Sequence, residues 1–164
     1  MGYMFNADEV FKVAIQIEEN GKNFYEQAQT KTTDEAVKKL FLYLAQEEVK
    51  HKEKFSRLKE LLPESAREDN LWDPENEINQ YLKMLANIHI FSTQANVENQ
   101  INKIKDAEDA LKMAMEFEKD SIVFFLTMKD VTADANGKNK IDELVKEEQE
   151  HLKKLTMQLK VLHR

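Results

Sequence analysis

The stretch LAQEEVKHKEKF, residues 44–55, has the period of an amphipathic helix. Leu44 and Phe55 mark its apolar face, and Glu48 and His51 fall on that face at the i, i+3, i+4, i+7 spacing. A carboxylate and an imidazole thus interrupt a stripe that should be core. One hundred positions later LVKEEQEHLKKL, residues 144–155, repeats the pattern with Leu144, Glu148, His151 and Leu155.

The offset extends beyond these two stretches. Lys12, Ala14, Glu18 and Phe24 coincide with Lys112, Ala114, Glu118 and Phe124, so the chain reads as two copies of one helical hairpin. Cap residues delimit the helices. Asn6 with Glu9 forms a capping box that opens a first helix to about Gln29, and Thr32 with Glu35 forms one that opens a second to about Leu62. After a polar connection, ENEINQYLKMLANIHIF, residues 75–91, predicts a shorter helix, with Trp72 expected to anchor the connection by packing. Asp106 caps a helix to about Asp130, and TADANGKN, residues 132–139, predicts a loop before a last helix.

In an antiparallel pair, residues equidistant from the turn lie at one height. Residue 33 is midway between Glu18 and Glu48, and residue 133 between Glu118 and Glu148, both inside the predicted turns. On the first helix Phe11, Ala14, Glu18, Gly21 and Tyr25 share a face, and on the third Leu111, Ala114, Glu118, Ser121 and Phe125 do. Glu18, Glu48, His51, Glu118, Glu148 and His151 therefore all point inward at mid-height.

Four buried carboxylates repel one another, and each loses several kcal/mol, on the order of its desolvation, when taken out of water. No lysine or arginine occupies the stripes at that level. Two divalent cations would balance four carboxylates, and carboxylate with neutral imidazole suits iron or manganese. A lone Glu-x-x-His would be read as a surface helix pair; two, in phase and at matched heights, predict a dinuclear metal site.

Composition narrows the function classes. Charged residues are 34% of the 164, with three glycines, two prolines and no cysteine. Disulfides, zinc ribbons and iron–sulfur centres are excluded, leaving oxygen and nitrogen as the metal donors. The net charge of −7 is spread among interspersed lysines and glutamates, which gives no case for nucleic acid or a membrane surface. With no long apolar run and no basic leader, a cytoplasmic location is expected.

AIQIEENGKNFY (14–25) followed by LAQEEVKHKEKF, and AMEFEKDSIVFF (114–125) followed by LVKEEQEHLKKL, resemble the rubrerythrin-like branch of the ferritin-like superfamily. The resemblance spans all four long helices. It implies that Glu18 and Glu118 each bind one metal terminally, that Glu48 and Glu148 bridge the two and take part in the chemistry, and that His51 and His151 complete the coordination. It further implies that Glu47 hydrogen-bonds His151 and Glu147 hydrogen-bonds His51, with Tyr25 a neighbour of the site. Two departures stand out. Rubrerythrins append a cysteine-ligated iron domain, whereas this sequence has no cysteine, and they carry an extra glutamate ligand where Ser121 stands here.

The expectation is an all-α, ferritin-like four-helix bundle forming one domain, with hairpins at 6–62 and 106–162 and a crossover at 63–105 containing a short helix. Its cofactor would be two iron ions, manganese or a mixed pair also being compatible with the ligands. The expected activity is reduction of peroxide or dioxygen with electrons from an external, rubredoxin-like donor; the alternative is oxidation of ferrous iron for storage or transfer. A homodimer is expected, with no nucleic-acid or membrane partner.

Overall fold

In the computed structural model, which describes residues 6–64 and 77–164, the described residues form α-helices joined by short turns, with no strand among them. Helices α1 (Ala7–Ala28) and α2 (Glu35–Glu60) make one antiparallel hairpin, and α5 (Ala107–Val131) and α6 (Ala135–Leu162) make the other. Between them run α3 (Glu77–Ile88) and α4 (Gln94–Ile101). The hairpins meet through α1 against α5 and α2 against α6, while α4 lies on α1 and α3 on α5.

Asn6 forms the expected capping box with Glu9, each side chain satisfying a backbone N–H of the other's turn. The second cap differs from expectation. Asp34, not Thr32, accepts from the Val37 N–H at 3.0 Å, and the Thr32 hydroxyl accepts from the Asp34 N–H one step earlier. A carboxylate closer to the helix start outcompetes the hydroxyl for the free N–H groups. The last helix also begins inside the predicted loop. Asp134 caps it by accepting from the Gly137 N–H at 2.6 Å, which places Asn136 and Gly137 in the first turn.

Among its described residues the crossover holds two helices where one was predicted. The first ends at Ile88 because the next residues turn sharply, the Phe91 N–H donating to His89 Nδ1 and the Ser92 N–H to the His89 carbonyl. Thr93 then caps α4 by accepting from the Asn96 N–H. Trp72 and the predicted start of the shorter helix at residue 75 lie outside the described residues.

Two aromatic clusters fill the bundle on either side of its middle. Phe24, Tyr25, Phe41, Phe91 and Phe117 pack near the 29–34 turn, with Phe24 to Phe91 at 4.5 Å and Phe91 to Phe117 at 5.1 Å between ring centroids. Toward the other end Phe11, Phe55 and Phe125 join, Phe55 and Phe125 at 4.8 Å. Burial of such rings is the main stabilising contribution of the bundle. Among the described residues no helix is long and apolar enough to cross a membrane.

Candidate metal centre

Between the aromatic clusters, the four long helices bring Glu18, Glu48, His51, Glu118, Glu148 and His151 together, all buried. Each hairpin contributes a carboxylate from its first helix and a Glu-x-x-His pair from its second. The His51 and His151 rings stack across the centre, centroids 5.2 Å apart and planes 13° from parallel. His51 Nδ1 lies 2.8 Å from Glu148 Oε1 and 3.2 Å from Glu18 Oε2. His151 Nδ1 lies 3.0 Å from Glu148 Oε2, 3.7 Å from Glu118 Oε1 and 3.8 Å from Glu48 Oε1. One donor atom from each of Glu48, His51, Glu148 and His151 falls within 4.8 Å of all the others, a spacing that can hold metal.

The carboxylates are under-satisfied. Both oxygens of Glu18, both of Glu48 and Glu118 Oε2 are buried with no hydrogen-bond partner, the Glu18–His51 approach being too poorly aligned to count as one. Buried polar atoms are ordinarily paired, and leaving one unpaired costs on the order of 1–3 kcal/mol, more when charged. Five such oxygens facing two imidazoles form an oxygen-and-nitrogen donor set that fits divalent cations.

The electrostatics of the metal-free cluster point the same way. Burial, then repulsion from Glu148, raises the Glu18 carboxyl above its usual range; burial and neighbouring carboxylates raise Glu48 and Glu118 further. Burial would also raise Glu148, but His51 and His151 outweigh it and hold this carboxyl low. The same contest runs in reverse at His51, where burial disfavours the imidazolium while Glu148, Glu147 and Glu18 prevail and raise it. A histidine and a carboxylate here act as the charge partners that cations would replace.

Around this centre the two halves differ. Tyr25 donates to Glu118 Oε1 at 2.5 Å, and its phenol stays protonated because burial, then Glu118, push its pKa well above normal. Glu147 Oε2 lies 2.8 Å from His51 Nε2 and is itself gripped by Lys54, whose ammonium lies 2.7 and 2.9 Å from its two oxygens. The bond to His51 above all keeps Glu147 ionised, its pKa lowered to about 2. Glu47, expected on His151, bonds Lys50 instead and lies near His51 and Glu147. The reason is local: Lys50 sits one turn along α2, whereas residue 150 is a glutamate.

The Rubrerythrin family matches residues 9–159. This chain belongs to the rubrerythrin family. A comparison with curated proteins returns no match. Among solved structures, the crystal structure at 2.30 Å resolution of a Thermotoga maritima protein, described on a provisional basis as a ferritin-like diiron-carboxylate protein, is similar over 98% of each chain. Its TM-score is 0.70 and its identity 22%, a likeness that establishes the ferritin-like fold.

His89 has no glutamate three positions before it, so nothing in the sequence singles it out. It is buried in the turn after α3, where Nδ1 accepts from the Phe91 N–H and Nε2–H therefore donates to the Ser121 hydroxyl at 3.1 Å. Burial lowers its pKa to about 4, so it stays neutral. Ser121, where the resemblance implies an extra glutamate ligand, lies here beside this imidazole from the crossover. The Asn20 amide, donating to the Phe91 carbonyl at 2.7 Å, and Asp120, accepting from the Ile90 N–H at 2.9 Å, fasten the same turn to α1 and α5.

Proposed function

We propose that the chain is a di-iron carboxylate oxidoreductase that reduces hydrogen peroxide, or dioxygen, with electrons from an external donor. The observation that carries this reading is the set of buried, unpartnered carboxylate oxygens on Glu18, Glu48 and Glu118 beside two imidazoles. Glu18 with His51, and Glu118 with His151, would each serve one metal, and Glu48 and Glu148 would lie between the two. Iron bound there would supply the two electrons that convert peroxide and two protons into two waters.

The protein's own groups set the conditions for that chemistry. The Tyr25 hydroxyl orients Glu118 by donating to Oε1, leaving Oε2 free for a ligand role. Glu147 fixes the His51 ring through Nε2, so that Nδ1 faces the centre. Phe117, Phe125 and Phe55 are fully buried, so the bundle interior that holds the centre is apolar and would limit water there. These 164 residues hold no cysteine, which supports a donor outside this domain for any relay built on thiolate-held iron.

A second reading, oxidation of ferrous iron for storage or transfer, is favoured by one observation. Glu47, His51 and Glu147 form a further cation-compatible group that reaches from the half-exposed flank to the buried centre and shares His51 with it. The test is anaerobic loading with ferrous iron, metal analysis, and stopped-flow mixing with peroxide or dioxygen. Two irons per chain and faster oxidation by peroxide support the scavenger. Faster oxidation by dioxygen, repeated on each iron addition by a many-subunit shell, supports iron handling; failure to hold two metals sinks both.

A further inference from the structure

We propose that the two metal positions are unequal, the one served by His51 and Glu18 binding a divalent cation more tightly than the one served by His151 and Glu118. The inference rests on the di-metal reading and concerns what the rest of the chain does to each position. Three differences between the repeats point in one direction.

The first is support of the imidazole. A ligand histidine is oriented, and made more basic, by a carboxylate on its far nitrogen. His51 has that carboxylate, Glu147, at 2.8 Å, locked in turn by Lys54. Among the described residues nothing accepts from His151 Nε2. The residue equivalent to Glu147 is Glu47, which Lys50 holds at 2.5 Å, and the residue equivalent to Lys54 is Lys154, whose ammonium sits 5.9 Å above the Tyr43 ring instead.

The second is the neighbour of the ring. Tyr43 presents its ring edge-on to His151, centroids 6.4 Å apart, where the matching position in the second hairpin is Glu143. An aromatic packing partner offers no hydrogen bond to set the imidazole tautomer. The third is the terminal carboxylate. Tyr25 already occupies a lone pair of Glu118 Oε1, while both oxygens of Glu18 are free of donors, because position 125 is Phe rather than Tyr. A phenol hydrogen bond withdraws electron density from the carboxylate and lowers its strength as a ligand.

The substitutions responsible can be named from the repeat: Lys50 against Glu150, Tyr43 against Glu143, Tyr25 against Phe125. A consequence is a range of metal concentration in which one position fills and the other exchanges with solution. The half-filled protein then responds to metal supply.

The test is anaerobic calorimetric titration of the full-length, metal-free protein with cobalt(II), which reports binding without turnover. Wild type should show two steps separated by at least about tenfold. Glu147→Gln should weaken the tight step by about 10–100-fold and leave the weak step in place, whereas Glu47→Gln, whose carboxylate Lys50 already holds, should weaken either step by clearly less than that. Lys50→Gln, which releases Glu47, should tighten the weak step. Glu147 and Lys50 are both solvent-accessible, so these variants keep the fold. Two indistinguishable steps in wild type, or equal losses from Glu47→Gln and Glu147→Gln, would overturn the inequality while leaving the di-metal reading intact. Absence of any cobalt uptake would overturn that reading, and the inference with it.

Discussion

Tyr25 of the first hairpin donates its hydroxyl to Glu118 of the second at 2.5 Å, and no equivalent bond runs the other way because residue 125 is Phe. The bond ties α1 to α5 beside four buried carboxylates. Tyr25→Phe would remove the hydrogen bond that, among the described residues, satisfies Glu118 Oε1, whose companion Oε2 already has none. Metal-free protein should lose about 1–3 kcal/mol of stability in urea denaturation. Metal-loaded protein should lose less, since the cation takes over the carboxylate. Equal losses with and without metal would mean that the phenol acts only as packing.

Glu48 has neither oxygen hydrogen-bonded, and burial, then Glu18, raises its carboxyl well above the usual range. Metal-free protein therefore carries this residue at a cost. Glu48→Gln keeps the volume and removes the charge, so the metal-free fold should gain stability, on the order of 1–4 kcal/mol at neutral pH. Metal uptake should fall below two ions per chain, because the group proposed to lie between both positions would have lost its charge. Paired thermal melts and metal analysis decide the matter; a variant less stable than wild type without metal and still binding two ions would refute this role.

Metal-free protein should also show an inverted pH profile. Folded-state pKa values are raised at Glu18, Glu48 and Glu118, burial being the leading cause, and at His51, where Glu148 and Glu147 overcome burial. Above the ordinary carboxylate range the folded state thus holds more protons than the unfolded one, and stability falls as pH rises. Glu147, lowered to about 2, and Glu148, also lowered, act oppositely: their contribution is present above the unfolded carboxylate pKa and is lost as pH drops below it. The expected maximum is near pH 5, about where the two trends cross. Saturating cobalt displaces the same protons, so the stabilisation gained on loading should grow with pH. Calorimetric melts from pH 4.5 to 8.5, with chelator and with cobalt, provide the check; a metal-free protein most stable at pH 8 would contradict it.

Much of this was legible in the sequence because helical phase is a strong constraint. A polar residue at the wrong phase of a long stripe has nowhere to go but inward, and the hundred-residue repeat set the heights of Glu18, Glu48, Glu118 and Glu148. What escaped was decided by competition among similar groups. Thr32 and Asp34 both suit a helix cap, and the carboxylate nearer the first turn wins. Asn136 and Gly137 are turn formers by propensity, yet a first helical turn tolerates them when Asp134 caps it. Glu47 and Glu147 look identical at their own positions. Their different partners depend on Lys50 and Glu150 one turn away, a difference the pattern of apolar residues does not record.

Gly21 shows how tightly the centre is walled. It lies three residues beyond Glu18, and a Cβ added to it would collide with Phe117 Cζ and stand only 2.8 Å from Cε1. Phe117 cannot retreat easily: it is fully buried, with Phe91 stacked at 5.1 Å, His89 edge-on at 5.6 Å and Tyr25 at 6.0 Å. In an exposed helix, Gly→Ala would stabilise by about 1 kcal/mol through backbone entropy. Here overpacking should reverse the sign, so that Gly21→Ala destabilises by about 1–3 kcal/mol in denaturant titrations. Adding Phe117→Leu, which frees the space the methyl needs, should recover part of that loss, giving a coupling of at least about 0.5 kcal/mol between two residues in contact. An alanine variant as stable as wild type would show that the ring can shift, and that the wall beside Glu18 and Glu118 is softer than its packing indicates.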